Sequence, residues 1–463
     1  MKVTIENLGI IKYAEYELGE LTIICGANNM GKTYATYSLY GFIDFFNNGY
    51  MPKIDHSIVS KLINEGACSI PIQTDQEYVN KMVDDACKEY KPYLPMIFNA
   101  QDKYFSETRF SVHINSDEVV LPQKLEKSYK RGNKEFVAIS LSDDKSALQF
   151  SLLSGDLDAS NQSLRISVSN IIGDSIKQVL FSHIFPDCFI ASAERTGAVI
   201  FKDELNIQKF HLLREIAASD NLDISSILNK VYSTPYPLPV RRNIDFIRNL
   251  ENVSKREGIL YKQKPEIVEM YNRIIGGKYD VSKEGIRYCP NNSKGVKLQI
   301  VESASSIRSL LDVFFYLKHA AKPGDMLLID EPELNLHPKS QRDVARLLAS
   351  LVNSGIKVFI TTHSDYIIKE LNTLLMLKSR AANENVAKLM TEKGYHNFEL
   401  LDSDQVKVYM AMKDHIKLEG KTRKSLHNTL VKAHVDNIIG ISAETFNDTI
   451  NEINEIQEHI YFS

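Results

Sequence analysis

Residues 26–33 read GANNMGKT, and this fit to G-x-x-x-x-G-K-[ST] constrains the fold more than any other stretch. Such a loop holds phosphate in only one setting. Its glycines must let backbone N–H groups turn inward, an apolar strand must deliver it, and a helix must leave it with the positive end facing the anion. The flanks meet both needs: LTIIC (21–25) is an apolar run, and YATYSLYGFIDFF (34–46) has a helical apolar pattern. Composition alone yields the pattern in roughly one chain of this size in a hundred, so a plain tight turn is the poorer reading. Lys32 is placed to reach β/γ oxygens and Thr33 to offer a hydroxyl to Mg2+. Gly26, Ala27, Asn28, Asn29, Met30 and Gly31 are placed to line the phosphates.

Two later segments fit the same chemistry. The apolar run LLID ends in Asp330, followed by Glu331. An aspartate at the carboxyl end of a buried strand can hold Mg2+, and the neighbouring glutamate can orient or deprotonate an attacking water. Alone, the pair would read as a solvated strand end; the upstream loop makes it a catalytic candidate. VFITTHS then places His363 just past another apolar strand, flanked by Thr361, Thr362 and Ser364. A lone histidine is usually a core or surface residue, but the order loop, acid pair, histidine favours a γ-phosphate sensor.

The chain of 463 residues leaves room for two to four compact units. Helix and strand signals alternate from SSIRSLLDVFFYLKHAA (305–321) through DMLLID and KSQRDVARLLASLVNS to KVFITTHS, which predicts a parallel α/β sheet. The expected core is residues 1–45 with 285–375. It is interrupted by a helical insertion (46–104), a β-rich lobe (105–202) and a helical region (203–284), and is followed by a mostly helical region (376–463). Within the lobe, FSVHI, EVVLPQKL, FVAISL, ALQFSLL and SLRISVS all read as strands. KYDVSKEGIRYCPNNSKGVKLQIV (278–301) reads as a hairpin or meander turning at NNSKG, and ETFNDTINEINEIQEHI (444–460) as a closing helix. The five cysteines show no CxxC spacing and read as buried thiols. The net charge of −4 argues against a surface that grips nucleic acid throughout, though not against a local patch. No apolar run reaches membrane-spanning length and MKVTIENLGII is strand-like, so a cytoplasmic protein without a membrane partner is expected.

GANNMGKT, SASSIRSL (303–310), LLIDEPELNLHP (327–338) and ITTHS (360–364) together resemble the ABC-type ATPase head of the SMC/RecF/OLD-like AAA group. The opening residues 1–33 are similar to that group's start, and SAERTG (192–197) looks like the AERSG-type segment of its stand-alone ATPases. The resemblance implies an α/β fold: an ABC-ATPase head with a mixed or parallel sheet and P-loop, carrying helical and β-rich insertions. It implies an ATPase with ATP and Mg2+ as cofactors. Lys32, Glu331 and His363 are its implied catalytic residues, and Thr33 and Asp330 its metal ligands. It also implies that Ser305 and Ser306 contact the ATP of a second copy in trans, so that a homodimer sandwiches two ATPs. Ile307 stands where related signatures carry glycine. Serine at a helix start supplies the N–H groups and hydroxyls that such a contact needs. Asn335, Leu336, His337 and Pro338 would form the loop crossing between the two sites. A magnesium-sensing glutamine is not placed, with Gln73, Gln76 and Gln101 as candidates. Spacing gives no role to Glu194 or Arg195; a phosphate or partner contact and a structural ion pair are equally open.

By resemblance to the ATPase subunits of PARIS and Septu systems, the chain is expected to gate a separately encoded nuclease effector in anti-phage defence. Assembly as a trimer of dimers is carried over with that expectation. The alternative is a RecF-like ATP-dependent DNA repair protein; a metabolic hydrolase ranks third. DNA contact rests on two basic stretches, 123–136 with Lys124, Lys127, Lys130, Arg131 and Lys134, and 413–424. Solvated faces explain them better. Asp402 and Asp404 read as a surface turn rather than a nuclease site, and no long heptad run is present.

Overall fold

The computed structural model describes residues 1–131, 134–153, 162–201, 236–282, 285–293, 295–418, 423–442 and 455–460. The chain divides into two compact units. One comprises Met1–Val3, Phe42–Lys91 and Phe110–Asp187; the other comprises Thr4–Gly41, Pro92–Arg109 and Cys188–Ser463.

The second unit is built on a six-stranded sheet. Its strand order is Ser425–Lys432, Val406–Ile416, Leu21–Cys25, Lys357–Thr362, Met326–Asp330 and Cys188–Ala191. Every neighbouring pair is parallel except the terminal hairpin of Val406–Ile416 with Ser425–Lys432. The expected α/β class with a mixed sheet is what the structure shows. Leu21–Cys25 and Met326–Asp330 are buried along their whole lengths, as strands covered on both faces must be. One face, carrying Ile23, Ile329 and Ile360, joins a continuous apolar core with helices Leu238–Arg248, Pro265–Ile275, Leu311–His319, Pro338–Val352 and Asp365–Ser379. Leu311–His319 is buried almost all round, and Phe315, fully buried, packs among Tyr279, Phe314 and His319. Phe315→Ala should therefore lower the unfolding free energy by about 3–5 kcal/mol, read as a reduced denaturation midpoint, because the cavity is walled on all sides.

The first unit holds an antiparallel sheet ordered Ala67–Pro71, Ala147–Leu152, Lys134–Leu141, Glu126–Arg131. Its core includes Phe136, Val137, Phe150, Val168 and Ile172.

Several element expectations are corrected. SLRISVS lies inside the helix Gln162–Phe181, not in a strand. Its alternation is real, but Leu164, Val168 and Ile172 also recur every fourth residue, and they are buried. EVVLPQKL forms no strand, since Pro122 removes a ladder donor. The helical insertion contains the strand Ala67–Pro71. The region expected to be mostly helical carries four strands among its described residues, between Val406 and Ser442. Val406, Val408, Tyr409 and Ala411 are buried there because Val406–Ile416 pairs with Leu21–Cys25. The core sheet thus recruits strands from outside both expected core segments. Residues 278–301 form the meander Gly277–Ser282, Gly285–Pro290, Leu298–Gln299. Much of the 203–284 helical expectation, part of the turn NNSKG and most of the closing helix lie outside the described residues. No helix among the described residues is long and apolar enough to cross a membrane.

Candidate nucleotide-binding site

Parallel register aligns the carboxyl ends of the central strands. Cys25 pairs with Thr362 and Asp330 with Thr361, and Ala191 pairs with Ile329. The phosphate loop, the acid pair, His363 and SAERTG therefore all leave the sheet at one edge, where open α/β sheets bind ligands. Gly26 and Gly31 adopt φ +134° and +97°. A Cβ on Gly26 would lie 2.5 Å from the Ala411 carbonyl oxygen, and one on Gly31 would lie 2.5 Å from Ile11 Cγ1. Both positions therefore demand glycine for space as well as for backbone angle.

Lys32 opens the helix Lys32–Asn48 and is nearly buried. Its Nζ donates to Gly26 O at 2.8 Å and Ala27 O at 2.9 Å. Burial lowers its pKa, while Glu331, Asp330 and Glu333 oppose that shift. Thr33 Oγ1 donates to Asp330 Oδ2 at 3.1 Å, and Thr361 Oγ1 donates to Asp330 Oδ1. Burial pushes Asp330 up to about 6 against these two hydroxyl donors. The Asp330 carboxyl beside the Thr33 hydroxyl presents two oxygen ligands of the kind a hard divalent cation takes. Asn28–Tyr34, Ile10 and Glu331 line an open cleft of about 560 Å3.

Glu331 has φ +53°, an uncommon left-handed conformation for a long side chain. Its N–H donates to Thr361 O at 3.0 Å. His363 Nδ1 lies 3.5 Å from Glu331 Oε1 and 3.2 Å from Glu333 Oε1. Glu333 Oε1 also accepts from Thr362 Oγ1 and from the His363 N–H, each at 2.8 Å. Its Oε2 is buried with no hydrogen-bond partner among the described residues. Burial raises Glu333's pKa against those donors. Glu333 is a residue the sequence reading missed. The signal was the second carboxylate two positions after Glu331, which the turn brings back onto the histidine.

Lys32, Thr33, Asp330, Glu331 and His363 are thus brought together, along with the loop residues. Ser305 and Ser306 are not: no hydrogen bond among the described residues joins either hydroxyl to the phosphate loop. They begin the short helix Ser305–Ser309, whose N-cap is Ala304 without a side-chain cap bond. Asn335 and His337 are exposed, whereas Leu336 turns inward. Gln76 is committed to Asn80, the Ile114 carbonyl and the Ser116 N–H. Tyr37, on the phosphate-loop helix, donates to Glu194 Oε2 at 3.0 Å. Asp402 pairs with Lys378 at 3.7 Å and caps its own turn. No group of three or more His, Cys, Asp or Glu residues suited to a metal ion occurs among the described residues.

A protein-family model described as AAA ATPase domain matches residues 1–368. Three solved Smc head structures are similar at low identity. One, bound to the C-winged helix domain of ScpA, is 11% identical over 93% of this chain and 97% of that one, with TM-score 0.33. A second, with an extended coiled coil and bound to the C-terminal domain of ScpA, from Pyrococcus furiosus, is 13% identical over 98% of each chain, with TM-score 0.33. The third, from Thermotoga maritima, is 9% identical over 94% and 98%, with TM-score 0.31. No curated protein matches the chain.

Proposed function

This chain belongs to the AAA ATPase domain family, and on that premise we propose that it hydrolyses ATP as a dimeric switch that controls a separate effector. The observation that carries the ATPase reading is the 3.1 Å contact between Thr33 and buried Asp330 beside the phosphate loop, with Glu331 lining the same cleft. These two oxygens fit Mg2+, which takes few protein ligands and completes its shell with water and phosphate. When bound, the ion would neutralise charge on the transferred phosphoryl group. Lys32 would exchange its two carbonyl acceptors for phosphate oxygens. The loop N–H groups would fix the phosphate chain, with Gly26, Ala27, Asn28, Asn29, Met30 and Gly31 lining it. Glu331 would orient the attacking water and accept its proton. His363, held on one side by Glu333, would hydrogen-bond the γ-phosphate.

Ser305 and Ser306 would meet the ATP of a second copy; the exposure of Ser305, Asn335 and His337 supports that reading. ATP binding would close the pair and hydrolysis would open it, each nucleotide state favouring one arrangement. The anti-phage role, with a nuclease as effector and trimers of dimers as assembly, is supported by the resemblance of SAERTG and DEPELNLHP to stand-alone defence ATPases. Two ATPase core segments with insertions remain the proposed organisation, now joined by the recruited strands. The RecF-like alternative draws on the hairpin Val406–Ile416/Ser425–Lys432, where Lys413, His415, Lys417 and Lys424 are exposed.

The test is to tag the protein in its native host, purify it with ATP and Mg2+, and analyse mass and composition by light scattering and mass spectrometry. A dimer with a stoichiometric nuclease is the expected result, and EDTA should return the protein to monomers. DNA alone, lost at high salt, would favour the repair reading. A monomer under all nucleotide conditions would end the dimeric one.

A further inference from the structure

Arg195 has a role that neither the resemblance nor the phosphate chemistry assigns. It is among the most buried residues of the protein, 1% exposed. Among the described residues, its hydrogen bonds all go to main-chain carbonyls. Nε donates to Ser309 O at 2.6 Å, Nη1 to Ser192 O at 2.9 Å and Asp330 O at 2.8 Å, and Nη2 to Glu331 O at 2.8 Å. No carboxylate stands within ion-pair distance of it among the described residues. Its counter-charge acts at a distance: the positive charge of Arg195 holds down the carboxyl of fully buried Asp312 against the upward push of burial, while its direct hydrogen bonds are spent on the four carbonyls.

Two of them belong to the acid pair. The peptide unit before the Glu331 Cα is gripped at both ends, its C=O by Arg195 and its N–H by the Thr361 carbonyl. The peptide unit after it is gripped at its C=O by Arg195. Glu331 sits between them at φ +53°, a conformation that persists only where surroundings over-determine it. The direction of its Cα–Cβ bond, from which the side chain sets out toward His363, follows from those two peptide planes. The Nε bond reaches elsewhere, to the last residue of the helix Ser305–Ser309. Ser309 is tied back in turn: its Oγ donates to Leu334 O at 3.1 Å, in the turn that follows the acid pair.

We propose that Arg195 is a positioning residue that fixes the left-handed backbone of Glu331 and links it to the helix Ser305–Ser309, so that the carboxylate answers to what that helix touches. This rests on the reading of Glu331 as the water-orienting group and of Ser305 and Ser306 as the face met by a second copy. A shift of the helix pulls on the guanidinium and turns both peptide planes of Glu331. Water activation in one site is thereby made conditional on a neighbour being seated.

Arg195→Lys tests it, because lysine keeps the charge but cannot span four carbonyls in one plane. Turnover by phosphate release and affinity for a fluorescent ATP analogue are measured for R195K, E331Q and the double variant, with folding checked by thermal melting. The expected result is a turnover about 10- to 100-fold lower in R195K, the scale of a displaced catalytic group, with affinity within about twofold of the parent protein. R195K should then cost nothing further in the E331Q background. Equal losses in both backgrounds, or lost affinity at unchanged turnover, would overturn the proposal. Parental turnover in E331Q alone would remove the reading of Glu331, and the proposal with it; that outcome is recognised from the single variant. If R195K does not fold, hydrogen exchange on E331Q decides. Peptides covering 303–311 and 326–334 should gain protection together on adding ATP and Mg2+; protection of the first without the second would overturn the link.

Discussion

Lys32→Ala is expected to bind ATP about one hundred- to a few thousand-fold more weakly than the parent protein while remaining folded. Lys32 is the lysine that lines the cleft, and its ammonium is already desolvated. Gly26 O, Ala27 O and the field of Glu331, Asp330 and Glu333 hold it charged there. Alanine would remove that cation and leave three acidic side chains facing an incoming triphosphate. Deleting one partner of a buried charge pair typically costs about 3–5 kcal/mol, which is roughly two to three and a half powers of ten in affinity. Titration calorimetry reads it directly. Unchanged affinity would move the phosphates to another place in the molecule.

Glu331→Gln is expected to keep its ATP affinity within a few-fold and to lose about 10²- to 10⁴-fold in turnover, the range for removal of a general base. Glutamine preserves the shape of the side chain and its approach to His363, 3.5 Å away in the parent protein, but it cannot take a proton from water. The variant should therefore accumulate in the ATP-bound dimer, which phosphate release and light scattering would show together. Turnover at the parental rate would shift the base to Glu333, whose Oε1 stands at the same histidine.

The parts of the site legible in the sequence are those whose chemistry is local. GANNMGKT needs only its own glycines, its preceding strand and its following helix, and LLID and VFITT announce buried strands by their apolar runs. Because the three strands lie in one parallel sheet, reading their ends was enough to bring Lys32, Thr33, Asp330, Glu331 and His363 to one edge. What stayed hidden is tertiary. Arg195 is a lone arginine in SAERTG until the fold carries Ser309 and Glu331 to it, from 114 and 136 residues away in sequence. Glu333 reads as a loop acid until the chain turns it under His363. SLRISVS satisfied two periodicities at once, and only packing chose between them. The strand Val406–Ile416 hides in the sequence because its buried positions do not alternate strictly and its partner Leu21–Cys25 lies almost four hundred residues away.

That pairing bears on how the protein is made. Leu21–Cys25 leaves the ribosome long before one of its two neighbours in the sheet, Val406–Ile416, which is synthesised almost four hundred residues later. Until then its backbone N–H and C=O groups on that side lack their sheet partners, and Gly26 lacks the Ala411 carbonyl that packs against it. Pairing over such a span closes slowly and leaves an open strand edge during synthesis. The phosphate loop is therefore encoded nearly four hundred residues before the strand that completes its sheet, so a chain not yet extended through Val406–Ile416 lacks a finished nucleotide pocket.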